Sequence, residues 1–294
     1  MNTLAIDIGG TKLALAVFEG ERLLHREERP TDRERGPAAM LPLILKIAQS
    51  WKAGVGLDRC AVGFGGPVNF AEQRVALSTH ANHWDGYPLR DALRDALGIP
   101  VIIDNDANAG ALGEAVYGAG RGKRPLFYMT ISTGIGGGLI LADGSVYRGA
   151  NDWAAEIGHM TIRPEGPECL CGSRGCLERM CCGLWLERDY GKPAKVLFED
   201  PEFVRRYVVD LALGLKAAIM ILNPARVVIG GGLTRSRDRL FVPLREELAR
   251  WMPPWSGAIV DVQPAGLGDD HVLWGALALA NQAHENQVLA IQTS

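Results

Sequence analysis

The sequence predicts an α/β protein built from two related halves. Strand-length apolar runs alternate with stretches of helical period along the chain, and two strand, glycine-turn, strand units recur at 3–18 and 126–142. With 294 residues, 47% of them hydrophobic, the chain is also long enough for two lobes.

Taken in order, strands are expected at 3–8 and 13–18, with 22–28 continuing the meander. A helix fits 38–52, where Leu41, Ile44, Leu45 and Ala48 share a face. A short buried strand follows at 60–64. Pro88 then opens a helix through 97, where its missing N–H costs nothing. The strand at 101–104 runs into a helix at 107–116. Residues 126–132 begin the second unit, whose turn Thr133-Gly134-Ile135-Gly136-Gly137-Gly138 is expected to lead into a strand at 139–142. Beyond a cysteine-rich loop come helix 202–222, strand 226–229, helix 240–251, strand 259–262 and helix 272–283. The last ten or so residues read as a loosely held tail.

A formal net charge of −3 without a basic block gives a nucleic-acid partner no electrostatic footprint. The start of the chain lacks a basic leader and a cleavage pattern. The longest apolar candidate, 208–222, carries Asp210 and Lys216, too short and too charged to span a bilayer. A cytoplasmic protein without membrane partners is expected.

Asp7-Ile8-Gly9-Gly10-Thr11-Lys12 places two glycines and a hydroxyl directly after a strand. Glycine lets backbone approach a phosphate closely, and successive amides in such a turn form an anion nest. The turn at Ser132, Thr133 and Gly134 repeats the device. Neither has Walker A spacing and neither opens a helix, which excludes the P-loop and the dinucleotide fingerprint. Either turn alone reads as a tight hairpin. Two together, with Asp7 placed to hold a cation, point to a pair of clamps on one polyphosphate. Gly230-Gly231-Gly232 suits a flat base passing close to backbone.

Five of the six cysteines fall between 169 and 182. His159, Cys169, Cys171 and Cys176 have nine, one and four residues between successive members, a Cys₃His set of the kind that closes around structural zinc. Disulfides belong to exported chains, and histidine is an unusual ligand for an iron–sulfur cluster. Cys181 and Cys182 read as spare thiols or packing. A closed site of this kind fixes a loop and activates no water.

Together with Gly63 to Asn69, Asp104-Asn105-Asp106-Ala107-Asn108, Glu156-Ile157-Gly158-His159 and Gly175-Cys176-Leu177-Glu178, these segments make the chain resemble the ROK family of sugar kinases and repressors over nearly its full length. The resemblance implies the two-lobed, duplicated fold shared with actin and hexokinase (ribonuclease H-like), with a cleft between the lobes. It implies a small lobe of residues 1–107 plus 276–294 and a large lobe of 108–275 carrying the zinc loop 159–178. It also implies ATP, Mg²⁺, structural Zn²⁺ and a homodimer. By residue matching, Gly66, Asn105, Asp106, Glu156, His159 and Glu178 would line a sugar site, with Asp106 as catalytic base. Asp7, Gly9, Gly10, Thr11, Lys12, Thr133 and Gly134 would sit at the phosphates, and Gly231 and Gly232 along the adenosine. The implied reaction is phosphorylation of a hexose hydroxyl, glucose first. Fructose, mannose, allose, N-acetylglucosamine and N-acetylmannosamine are alternatives.

The residue chemistry is compatible with that carry-over. Sugar hydroxyls both donate and accept, so they favour clustered carboxylates and amides. A carboxylate of pKa ~4 is a weak base, but phosphoryl transfer needs mainly positioning and charge neutralisation. His159 would offer one ring nitrogen to zinc and the other to sugar. Asp104 and Asn108 have a plainer reading as caps, and Glu114 reads as solvated.

Four positions depart from the family pattern: Gly65 for Pro, which should loosen its turn, Ala155 for Gly, Asn69 for Asp, and His80-Ala81-Asn82-His83-Trp84 for an Asn-Leu-Pro-Gly-Trp-like segment. That last loop bears on substrate choice, although His83 reads as an ordinary surface residue. Two other classes fit the residues less well. Repressors of the family carry a helix-turn-helix ahead of the glycine motif, and Asp7 is expected to lie too near the start for one. An actin-like ATPase would have no use for Asn105, Glu156 and Glu178.

Overall fold

The first glycine turn joins β1 (Asn2–Ile8) to β2 (Lys12–Glu19), paired antiparallel with Ile8 opposite Leu13. Most of both strands is buried, which explains their near-continuous apolar runs. β3 (Arg22–Pro30) pairs with β2 at the sheet edge, and its exposed arginines and glutamates discourage further pairing there. The computed structural model describes residues 1–78, 81–253 and 261–293. His80 lies outside the described residues.

The chain continues through α1 (Pro37–Val55), β4 (Arg59–Phe64), a small hairpin of β5 (Val68–Asn69) and β6 (Arg74–Val75), α2 (Leu89–Leu97), β7 (Val101–Asn105) and α3 (Asp106–Val116). β4 and β7 add in parallel on the far side of β1, giving the order β3-β2-β1-β4-β7.

The second glycine turn joins β8 (Leu126–Ile131) to β9 (Ile135–Ile140). Three short helices follow, α4 (Leu177–Cys181), α5 (Gly183–Tyr190) and α6 (Ala194–Leu197). Then come α7 (Pro201–Leu222), β10 (Arg226–Gly230), α8 (Asp238–Trp251), β11 (Asp261–Pro264) and α9 (His271–Thr293). The sheet order is β11-β10-β8-β9, with β10 parallel to β8 and to β11. Each sheet is therefore an antiparallel hairpin around a glycine turn, extended by parallel strands beside its first strand. This is the duplication expected from sequence.

The chain forms two compact units. One holds Met1–Val116, Arg148–Trp153 and Asp270–Ser294, and the other Tyr117–Tyr147 and Ala154–Asp269. The first core gathers Leu4, Ile6, Leu15, Ile44, Val62 and Trp84. The second gathers Phe127, Met129, Leu177, Leu211, Val227 and Phe241. Within the first unit α3 crosses α9 at two glycines. A Cβ on Gly275 would fall 1.8 Å from the Ala109 carbonyl oxygen, and one on Gly113 would fall 2.6 Å from that of His271. This close crossing ties the whole of α3 to the C-terminal helix.

Several expectations need correction. The C-terminal helix is longer than predicted, because α9 continues past 283 to Thr293. The second turn is shorter than predicted: β9 begins at Ile135, and Gly136 to Gly138 are strand. A Cβ on Gly137 would come within 2.4 Å of Ala155 O, so the glycines serve close packing of the 155–157 segment. β11 begins at Asp261, and the predicted positions 259 and 260 lie outside the described residues. Glu114 is fully buried rather than solvated.

Candidate functional site

In the first unit, β1 delivers Asp7 to the start of the glycine turn, where Gly9 N–H closes back on Lys12 O at 2.9 Å. Gly65 follows β4, and its amide donates to Ile8 O at 2.9 Å. Proline could not make that bond, so the departure at 65 fastens the turn to β1 instead of loosening it. A Cβ on Gly65 would lie 3.3 Å from Gly9 Cα and 3.4 Å from Asp106 Oδ2. Asp106, the first residue of α3, thus has its carboxylate beside the glycine turn. Burial, chiefly, and the Asp106 charge push Asp7 up to about 7, against the pull of Lys12.

Asn105 is a cap as well as a candidate ligand. Its Oδ1 accepts from Ala107 N at 2.9 Å and Asn108 N at 3.2 Å, while Nδ2 donates to Gly66 O at 3.0 Å. A Cβ on Gly66 would be 2.9 Å from Leu77 O. Asp104 is more than a strand-end cap: its buried carboxylate takes Arg148 Nη2 at 2.6 Å, Asn108 Nδ2 and the Asn105 amide. Arg148 in turn lies 3.5 Å from the centre of the Phe70 ring, and Asp152 accepts from Phe70 N. Sequence reasoning missed Arg148, because a lone arginine in an irregular segment has no periodic signature.

In the second unit, Glu178 stands in the first turn of α4 and its Oε2 accepts from Ile135 N at 2.8 Å. A Cβ on Gly134 would fall 2.7 Å from that oxygen, so a side chain there would have to displace the carboxylate. Glu156 has its pKa raised by burial and by the Glu178 charge, with His159 opposing. Thr133 is held by Leu184 N on its carbonyl at 3.2 Å. Gly231, at φ 89°, passes so close to Ile131 that a Cβ would be 2.3 Å from its carbonyl oxygen. Gly232 faces open space. The expected site residues therefore form two groups, one in each unit.

His159, Cys169, Cys171 and Cys176 converge, with ligand atoms all within 4.8 Å of one another. Zn–S bonds of about 2.3 Å in a tetrahedron need sulfurs roughly 3.8 Å apart. Cys171 and Cys176 Sγ are 3.6 Å apart, so the set fits zinc. Positive φ at Gly172 and Gly175 makes the tight turns, and a Cβ on Gly175 would strike Arg163 O. Arg179, also missed from sequence, braces the loop. It donates to Glu168 O, forks onto Asp189 at 2.7 and 3.1 Å, and stacks on Trp185. Cys181 and Cys182 are buried in the core and stand outside the cluster.

Two glycine-turn hairpins, each widened by parallel strands, with a carboxylate pair beside one and a Cys₃His cluster beyond the other, define an actin- and hexokinase-type α/β protein. The chain belongs to the ROK family, whose model matches residues 3–283. It is 32% identical to a glucokinase of Halalkalibacterium halodurans, covering 95% of this chain and 94% of the relative. The crystal structure of a ROK hexokinase from Thermus thermophilus superposes with a TM-score of 0.84 at 33% identity, covering 97% and 100% of the two chains. A ROK family glucokinase from Streptomyces griseus, in complex with glucose and AMPPNP, also gives 0.84, at 27% identity and 96% and 100% coverage. A xylose repressor of Bacillus spizizenii is 29% identical over 76% of this chain and 60% of its own length. No helix among the described residues is long and apolar enough to cross a membrane.

Proposed function

We propose that the chain is an ATP-dependent sugar kinase that phosphorylates a hexose hydroxyl, glucose first, with Asp106 as general base. The observation that carries this reading is the carboxylate of Asp106 beside the glycine turn of the same unit, where base and phosphate turn can act on one transfer. Asp106 accepts the hydroxyl proton as the nucleophile attacks, while the turn amides and Lys12 face the donor's phosphates. A mutually repelling pair such as buried Asp7 and half-buried Asp106 fits a divalent cation nearby, and Asp7 would hold Mg²⁺ through water. The cation supplies neutralisation of phosphate charge.

Gly66, Asn105, Glu156, His159 and Glu178 orient the sugar in this reading, and Gly231 and Gly232 lie along the adenosine. Structural zinc on His159, Cys169, Cys171 and Cys176 fixes the loop that carries Glu178. Fructose, mannose, allose and N-acetylated hexosamines stay within the substrate class. The protein acts as a cytoplasmic homodimer on this reading, which sedimentation would check. The similarity to xylose repressors supports only a sugar-responsive binding role, and such a role has no need of Asp106 as a base.

A coupled ADP-release assay over a panel of hexoses and N-acetylhexosamines tests the activity. Asp106→Asn should lower turnover at least ~10²-fold while calorimetry still registers sugar binding. Near-normal turnover in that variant rejects the assignment. Sequence-specific DNA retardation with no sugar-dependent ADP release would favour the repressor class.

A further inference from the structure

Both glycine turns are fastened from behind. In a trans peptide the C=O and the following N–H point in opposite directions, so whatever holds the oxygen also aims the next amide. In the β1–β2 turn, Gly9 O accepts from Thr31 Oγ1 at 2.7 Å, and Gly10 O accepts from Arg33 Nε. The Thr31 amide adds a bond to Thr11 O at 3.1 Å. Three successive carbonyls are thereby occupied by the short segment that follows β3. The amides of Gly10, Thr11 and Lys12 are directed to the other side.

The second unit has the same arrangement made from different parts. Ser132 O accepts from Gly183 N at 2.8 Å, and Thr133 O from Leu184 N at 3.2 Å, both donors being the first residues of α5. The amides of Thr133 and Gly134 are correspondingly turned away from α5. Peptides flanked by glycine reorient at little cost, and an anion nest exists only while successive amides share a direction. Recurrence of the lock in two separate units, through unrelated donors, marks it as a requirement of the turns.

We propose that Thr31 and Arg33 are positioning residues for phosphoryl-donor binding: they hold the Gly9–Gly10–Thr11 peptides in the orientation whose amides receive a phosphate. This rests on the kinase reading above. Arg33 is itself placed by its backbone, since its carbonyl accepts from Asn82 N at 2.8 Å. Its guanidinium has five donors, and the one on Nε serves the turn.

The test compares Thr31→Val, Thr31→Ser, Arg33→Ala and Arg33→Lys with the parent chain. Calorimetry reads MgADP and sugar binding separately, and initial rates give KM and kcat. Losing one hydrogen bond to the turn should raise the MgADP Kd and the KM for ATP about tenfold in Thr31→Val and Arg33→Ala. Sugar affinity should stay within about twofold of the parent, since neither side chain belongs to the sugar group of residues. Thr31→Ser keeps the hydroxyl and should restore the parent value, and Arg33→Lys should recover part of it. Unchanged MgADP affinity in both truncations overturns the inference alone, as does equal loss in Thr31→Ser or a parallel loss of sugar affinity. A parent chain with no MgADP affinity overturns the kinase reading together with it.

Discussion

Glu178 Oε2 accepts the Ile135 amide at 2.8 Å across the exact space that a side chain on Gly134 would take. The carboxylate expected at the sugar is thus also a brace of the second glycine turn. Gly134→Ala should push Glu178 off Ile135 and lower kcat/KM for both ATP and sugar by at least about tenfold, the weight of one charge-assisted hydrogen bond. The fold should persist, because the displaced group is one side chain. Steady-state kinetics beside a thermal melt check both halves, and unaltered kinetics would show that the brace is dispensable.

The Asp104–Arg148 pair gives a stability prediction. Asp104 is buried with its pKa raised by burial, and Arg148 opposes that rise. Arg148→Met leaves the buried carboxylate without its counter-charge, although Asn108 and the Asn105 amide still donate to it, at a cost of about 3–5 kcal/mol. Its folded pKa then rises further above the unfolded value, so the folded state holds the proton more tightly. The variant's stability should therefore increase as pH falls through the range above the usual carboxylate pKa. Adding Asp104→Asn should recover most of the loss. Urea unfolding at several pH values reads all three outcomes.

Two departures from the family pattern share one backbone reason. Ala155 has φ 64° and His83 has φ 66°, so each holds a left-handed conformation at a position where the family has glycine. Such a residue without glycine's freedom is strained by about 1 kcal/mol or more. Ala155→Gly should raise stability by roughly 0.5–1 kcal/mol, strain relief outweighing the added freedom of the unfolded chain. His83→Gly should do likewise and, since His83 is exposed, leave the core unchanged. A fall in melting temperature for both would refute the strain argument.

Much of this was legible in the sequence because it rests on local rules. Buried strands read as apolar runs, glycine turns as glycines after strands, and the cysteine loop as ligand spacing. What stayed hidden depends on groups distant in sequence. Arg148 reaches Asp104 across 44 residues, and Arg179 reaches the Glu168 carbonyl from the next helix. Gly136 to Gly138 looked like turn because the segment packed against them was unknown. The final residues read as tail because chain ends are ordinarily loose, and Glu114 looked solvated because a charged residue mid-helix ordinarily is.

The cysteine cluster predicts one zinc per chain. Burial and the thiols of Cys171 and Cys169 push Cys176 up to about 12, so metal must displace protons and affinity should fall as pH falls. Cys171→Ala should lose the ion, as mass spectrometry of metal content will register. Because Glu178 follows Cys176 by two residues and braces Ile135, amide exchange at Ile135 should speed up when the ion is removed with a chelator. Metal-free protein as isolated, with unchanged exchange, would contradict the assignment.

Asp7 carries the last prediction. Its folded pKa of about 7 stands above the ordinary carboxylate value of 3.8, mainly through burial and then through Asp106. Between those values the folded chain binds a proton that the unfolded chain has released. Stability is therefore fullest below the unfolded pKa and is lost as pH rises through about 7, a cost on the order of 4 kcal/mol by pH 8. Asp7→Asn should remove that slope and stabilise the metal-free protein at pH 8, while activity falls with loss of the carboxylate. Millimolar Mg²⁺ with ADP should flatten the slope in the parent chain and leave the already flat slope of Asp7→Asn unchanged. Melting curves from pH 5 to 8, with and without MgADP, decide it: a parent chain that grows more stable across that range contradicts the buried, proton-holding Asp7.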